Sequence, residues 1–265
     1  MDRPLFRFGL PVLFGLAVLA GWEGAVAALG VPAYVLPGPI AIGAALVEGF
    51  GSLMGSLWVT LRVTLIAFAA ALAIGTGFAI LFTESRIAER TLYPYAVALQ
   101  VTPIVAIAPL VLIWVGLDHA ERAVAILATV AAFFPVLANM MAGLKAADHN
   151  LIDLLRLYGA TRWQIMRFVR LPSALPYLLS AMKISAGLAL IGTVVAEFVA
   201  GAGTSTGLAW RILEAGNRLQ VARMFAALVL LSALGIALFF ALTALERGAL
   251  RHWTAGQRRP GTDTE

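Results

Sequence analysis

Cysteine is absent from the 265 residues, so disulfide scaffolds, thiolate metal sites and cysteine nucleophiles are excluded, and cysteine usage says nothing about redox compartment. Charge is scarce. Asp, Glu, Lys and Arg make up 12% of the chain, against about 25% in a soluble globular domain. Lysine is reduced to Lys145 and Lys183, and neither precedes a hydroxyl residue, so no Gly-x-x-x-x-Gly-Lys-Ser/Thr phosphate loop exists and the chain is not itself an ATPase. Histidine is limited to His119, His149 and His252, with no His-Glu-x-x-His pair for a zinc protease. What remains is apolar: 61% of residues are hydrophobic and the mean hydropathy is +0.92. A water-soluble monomer is excluded. The net charge of +5 rests on 17 arginines that gather on no single polar face, so nucleic acid is not an expected partner.

Windows of about 20 residues, long enough to cross roughly 30 Å of hydrocarbon, give six expected spans: Phe8–Leu29, Leu57–Phe82, Tyr95–Gly116, Ala123–Leu144, Leu178–Ala200 and Phe225–Leu245. Helices are the assignment because open strands leave backbone groups unpaired in lipid, and these runs lack the alternation of a barrel strand. The expected fold is all-α, one domain over residues 1–256 with a polar tail at 257–265. Thirteen arginines and lysines fall in the segments that lie inside if the N-terminus is inside, against four outside (Arg122, Arg211, Arg218 and Arg223). By the positive-inside rule both termini are cytoplasmic.

Arg3 and Arg7 before an apolar run, with Ala25-Val26-Ala27 after it, also fit a cleaved secretory signal; Trp22 and Glu23 sit awkwardly there, and an uncleaved first span is the reading adopted. Gly30–Ser56 is too long for a simple turn. It fits an interfacial helix from Ile40 to Phe50 or a plain connector.

Lys145 to Pro176, between the fourth and fifth spans, is far longer than the roughly two to eight residues of an ordinary helix connection. Leu151, Leu154, Leu155 and Tyr158 recur at helical spacing, as do Trp163, Met166 and Val169, with charged and polar residues on the other faces. Gly159 supplies a corner and Pro172 an end. A short helix, a bend and a second short helix are therefore expected at the inner face. Two uses fit: lying on lipid headgroups, with arginines reaching phosphates, or receiving a protein partner.

At these residues the chain resembles the integral membrane permeases of binding-protein-dependent ATP-binding-cassette importers. Their loop reads Glu-Ala-Ala-x-x-x-Gly, nine residues, then Ile-x-Leu-Pro; here Asp153-Leu154-Leu155-x-x-x-Gly159 is followed after nine residues by Val169-Arg170-Leu171-Pro172. The likeness extends through Tyr93-Pro94-Tyr95, Gln100-Val101-Thr102-Pro103, Ala108-Pro109-Leu110, Phe133-Phe134-Pro135-Val136, Gly159 to Gln164 and Ala196-Glu197-Phe198-Val199. It is nearest the branch handling sulfonates, nitrate, taurine, thiamine-precursor pyrimidines or riboflavin. The resemblance implies a bacterial inner-membrane importer subunit. Its implied partners are a cytoplasmic ATP-binding-cassette ATPase, an extracytoplasmic solute-binding protein and a second permease copy, with no cofactor. It also implies that Asp153, Leu154, Leu155, Tyr158, Gly159, Ala160, Arg162, Leu171 and Pro172 dock the ATPase.

For the solute path, polar residues within the spans are the candidates: Gln100, Thr102, Asn139, Thr193 and Glu197, with Pro103 and Pro109 breaking the third span. Glu197 either meets the solute or forms a structural pair near the outer interface; Lys183 is expected to snorkel. Phe133, Phe134 and Met140 either narrow the passage or simply pack. Two rival functions fit single features. An ion-gradient transporter would use Glu197 as its titrating group. A membrane hydrolase would use Ser205 of Gly203-Thr204-Ser205-Thr206-Gly207, but His252 falls across the membrane from it. The expected cargo is a small organic solute of the heterocycle or sulfonate kind.

Overall fold

The computed structural model describes residues 4–200 and 206–254; Arg3, Ser205, Arg258, Arg259 and the tail at 257–265 lie outside them. Among the described residues the regular elements are helices and no strand is present. They are α1 (Pro4–Ala28), α2 (Pro39–Glu48), α3 (Phe50–Glu84), α4 (Arg86–Val101), α5 (Ile104–Val115), α6 (Ala120–Lys145), α7 (His149–Leu157), α8 (Arg162–Ile165), α9 (Leu171–Ala200), α10 (Leu208–Asn217) and α11 (Val221–Thr254). Among the described residues five helical stretches are long and apolar enough to cross a membrane, Gly9–Ala28, α3, α6, Arg162–Ala200 and Val221–Leu250, and α4 and α5 together make a sixth if counted as one span.

The third apolar run breaks at Pro103, where α4 and α5 meet at 104°; two other proline expectations are corrected. Pro103 disfavours the helical conformation for the residue before it, and Thr102 is extended (φ −71°, ψ 124°). Pro109 does not break the chain; it lies within α5, where one lost backbone bond is tolerated in a packed membrane helix. Nor does Pro172 end the second short helix. A π-turn over Met166–Arg170 joins α8 to α9, with the Leu171 amide donating to the Met166 carbonyl five residues back, and this widened turn admits the proline ring. Lys183 Nζ donates to Glu246 Oε2 at 2.7 Å. The Ile40–Phe50 segment is helical as α2, with Pro39 at the first turn, and α3 begins at Phe50 immediately after the Gly49 cap.

The chain forms two compact units, residues 4–59 with 206–233, and residues 60–200 with 234–254; α3 and α11 each contribute to both. In the first, Ile42, Leu53, Leu208, Ala226 and Ala227 form the core, against which Trp22 and Phe225 pack, their rings edge to face at 6.0 Å from each other. Glu23 accepts from the Ile40 amide at 3.1 Å, placing a carboxylate on the positive end of α2. A Cβ on Gly38 would fall 2.5 Å from that carboxylate.

In the second unit α6 and α9 run antiparallel, as the close pairs Gly192 with Ala128 and Gly143 with Ala174 require. A Cβ on Gly192 would lie 2.9 Å from the Ala128 Cα, and one on Gly143 2.8 Å from the Ala174 Cα. In lipid, where burial gives little drive, such small-residue contact lets backbones approach and supplies the dispersion energy of association. Lys145–Glu89 (2.6 Å) and Arg170–Glu84 (3.0 Å) tie α6 to α4 and the π-turn to α3.

Candidate functional site

The bent element is built locally. Asp148 caps α7 by accepting from the Asn150 amide at 2.8 Å. Thr161 and Gln164 form a reciprocal capping box at the start of α8. Between them Gly159 holds φ +76°. Its amide donates to Arg156 O, and the Ala160 amide donates to Leu155 O, both at 2.9 Å. This is a Schellman closure that favours glycine at the left-handed position. Ile152, Ile165, Val169 and Ala147 pack between the two halves, with Leu155 and Ala160 against them. Two of the expected docking residues, Leu155 and Ala160, thus shape the bend from within.

The outer side is apolar. Leu157 is 86% exposed, Tyr158 81% and Trp163 63%, with Leu151, Leu154 and Phe168 also exposed. Asp153 pairs with Arg156 at 3.0 Å, both on the surface. Arg162 and Pro172 are exposed and Leu171 half-buried. Leu157 and Trp163 share this exposed side, roughly opposite Ile152 and Ile165 on the helical wheel.

The second constellation is a buried polar row. On α9, Ala181, Ser185, Ala189, Thr193 and Glu197 follow one another at four-residue spacing and all are buried. Thr60 Oγ1 of α3 donates to Glu197 Oε1 at 2.9 Å, and Thr64 Oγ1 donates to Thr193 Oγ1 at 3.2 Å. Glu197 is 1% exposed. Ser185 Oγ is buried without a hydrogen-bond partner among the described residues. Thr60, Thr64 and Ser185 were not among the residues expected to line the path; Thr60 and Thr64 are four residues apart on α3, and Ser185 and Thr193 eight apart on α9.

The remaining path candidates stand apart from this row. Gln100 is exposed near the end of α4, Thr102 Oγ1 donates to Ala98 O at 2.7 Å, and Pro103 starts α5. Asn139 Nδ2 donates to Pro135 O one turn earlier in α6, at 2.8 Å. Phe133 and Met140 are buried in a cluster with Phe82 and Leu137, and Phe134 packs on Tyr93. All three contact neighbouring aromatic or aliphatic side chains. Phe78, Phe82, Tyr95, Leu99 and Phe133 border an apolar hollow of about 290 Å³.

Long apolar helices and a bent amphipathic element between two of them define an integral membrane protein. Residues 71–251 match the family described as the inner membrane component of binding-protein-dependent transport systems, and the chain belongs to that family. It is 33% identical to the riboflavin transport system permease protein RibX of Chloroflexus aurantiacus, over 96% of this chain and 94% of that protein. The formylaminopyrimidine transport permease protein ThiX of Halalkalibacterium halodurans is likewise 33% identical, over 89% of this chain and 92% of its own. Among solved structures, the inward-facing MetNI methionine ABC transporter superposes with a TM-score of 0.64 at 26% identity, covering 77% of this chain and 99% of that one. The chain is therefore a permease subunit of an ATP-binding-cassette importer for a small solute, a multi-pass inner-membrane protein that leaves ATP hydrolysis to a separate subunit. Membership implies ATPase and binding-protein partners and a permease dimer. The ion-gradient and hydrolase readings give way to it.

Proposed function

We propose that the α7–α8 element is the lever through which the ATPase drives this permease, with both termini and this element on the cytoplasmic side. The observation that carries the reading is the exposed apolar surface of Leu154, Leu157, Tyr158 and Trp163 on an element braced from within by Ile152, Ile165 and Val169. Such a surface calls for a hydrophobic groove, and a braced bend transmits displacement where a floppy loop would absorb it. Asp153, Gly159, Arg162 and Pro172 border the contact; Leu155, Ala160 and Leu171 hold its shape. Gly159 leaves open space where a side chain would stand, so a partner backbone approaches closely there.

Residues 1–256 act as one permease domain, 257–265 as a cytoplasmic tail, and two copies of the chain form the path. The polar groups Gln100, Thr102, Asn139, Thr193 and Glu197, with the break at Pro103, contribute to it. Glu197 acts through its bond to Thr60, which ties α9 to α3. The solute is a small organic molecule of the heterocycle or sulfonate kind.

The test is reconstitution with the cognate ATPase and binding protein in proteoliposomes, with riboflavin, a formylaminopyrimidine and ethanesulfonate as probes. Uptake of one of them must require ATP and persist when the proton gradient is collapsed. Replacing Leu157 and Tyr158 together by Asp should abolish uptake and ATPase co-purification while leaving the permease folded. Retained coupling in that variant defeats the lever assignment.

A further inference from the structure

In the first unit, the end of α10, the turn after it and the start of α11 bring three arginines onto one half-enclosed hollow of about 180 Å³. Arg211, Arg218 and Arg223 line it with Glu214, Gln220, Ser52, Leu53 and Ala215. At about 30 Å³ per water, it has room for roughly six water molecules. Its charges do not balance. Glu214 is the one carboxylate on the wall, and it is spoken for twice: Oε2 accepts from Arg211 Nη1 and Oε1 pairs with Arg218 Nη2, each at 2.9 Å. Arg211 is further fixed by donating from Nε to Ser56 Oγ at 3.0 Å. Arg223 forms no ion pair among the described residues and has only a 3.5 Å contact to Gln220 Oε1.

Arg223 is nevertheless positioned. Its Nε would lie 3.5 Å from a Cβ on Gly49, the residue that caps the negative end of α2. The floor beneath is apolar, with Leu53 1% exposed and Ala215 buried. Arg211, Arg218 and Arg223 outnumber the single carboxylate on this wall, with Arg218 and Arg223 reaching solvent and Glu48 bordering the adjoining hollow beside Arg223, so the local potential is positive. Guanidinium groups present planar forks that suit two oxygens of one group.

We infer that this hollow binds the oxyanion group (sulfonate, carboxylate or phosphate) of a small solute, with Arg223 and Arg218 as its donors and Arg211 as the fixed wall. The inference rests on the importer reading and deepens it by giving the cargo a charged group; the hollow lies in the segments whose loops the charge distribution puts outside.

The permease in nanodiscs of phosphatidylcholine is titrated with methanesulfonate and with inorganic phosphate, without nucleotide. Saturable binding is expected. Arg223→Gln should weaken it about tenfold, the loss of one charge-assisted pair, and adding Arg218→Gln should abolish it. Arg247→Gln, away from the cluster, should change nothing. Glu214→Gln gives the opposite sign: freeing two guanidinium groups should tighten binding, which a merely structural arginine network would not do. Absence of saturable binding, wild-type binding in the Arg218→Gln, Arg223→Gln double variant, or retention only of phosphatidylglycerol headgroups in anionic discs overturns the inference. ATPase co-purification from the same preparation tests the importer reading separately.

Discussion

Gly159 shows how one residue can be required by conformation alone. Its φ of +76° costs an ordinary L-residue about 1–2 kcal/mol, while a Cβ there would touch nothing in this chain. Asn, which tolerates the left-handed region, should keep the bend; Val should not. Gly159→Val is expected to cut co-purification of the ATPase several-fold, and Gly159→Asn to retain most of it, measured by pull-down of the assembled complex. Equal loss in both would mean that the position is read for its size by the partner. The corner was legible in the sequence because glycine between two amphipathic runs has few other uses. Glu197 was legible as a buried acid for the same kind of reason, but Thr60, 137 residues away, was not: nothing in a helical pattern says which hydroxyl on which helix faces a carboxylate.

Among elements, the α6–α9 pair depends on glycine for another reason, backbone proximity. Gly192→Leu would drive a side chain into Ala128 and Ala131, and overpacking of this kind costs about 1–3 kcal/mol or more where backbone must move. Gly187, also on α9, has open space around its Cβ position. Thermal unfolding in detergent should therefore fall by several degrees for Gly192→Leu and stay near wild type for Gly187→Leu; matching effects would refute the close-contact account. Helix existence and approximate ends were readable from hydropathy. The exceptions have local causes that propensity alone ranks poorly. Of two prolines in the third apolar run, Pro103 turns the chain and Pro109 rides within α5; Pro172 passes inside a helix because the preceding π-turn opens space for it.

For the molecule as a whole, the lack of cysteine becomes an experimental advantage. Single Tyr158→Cys and Leu219→Cys variants report sidedness with a membrane-impermeant maleimide. Leu219, exposed at φ +57° between α10 and α11, should label from outside in intact cells, and Tyr158 only in inverted vesicles. The reverse pattern would sink the orientation on which the lever depends. The sequence by itself determined that this chain lives in lipid, that it is helical, that it cannot hydrolyse ATP and that a bent amphipathic element projects between two apolar runs. Each of these follows from composition or from spacing within one segment. Tertiary structure alone decided that Leu155 and Ala160 face inward while Leu157 and Trp163 face out, that Lys183 meets Glu246, and that three arginines share one hollow with a single carboxylate. Those facts depend on which helix faces which, and that is set by close packing between segments far apart in the chain.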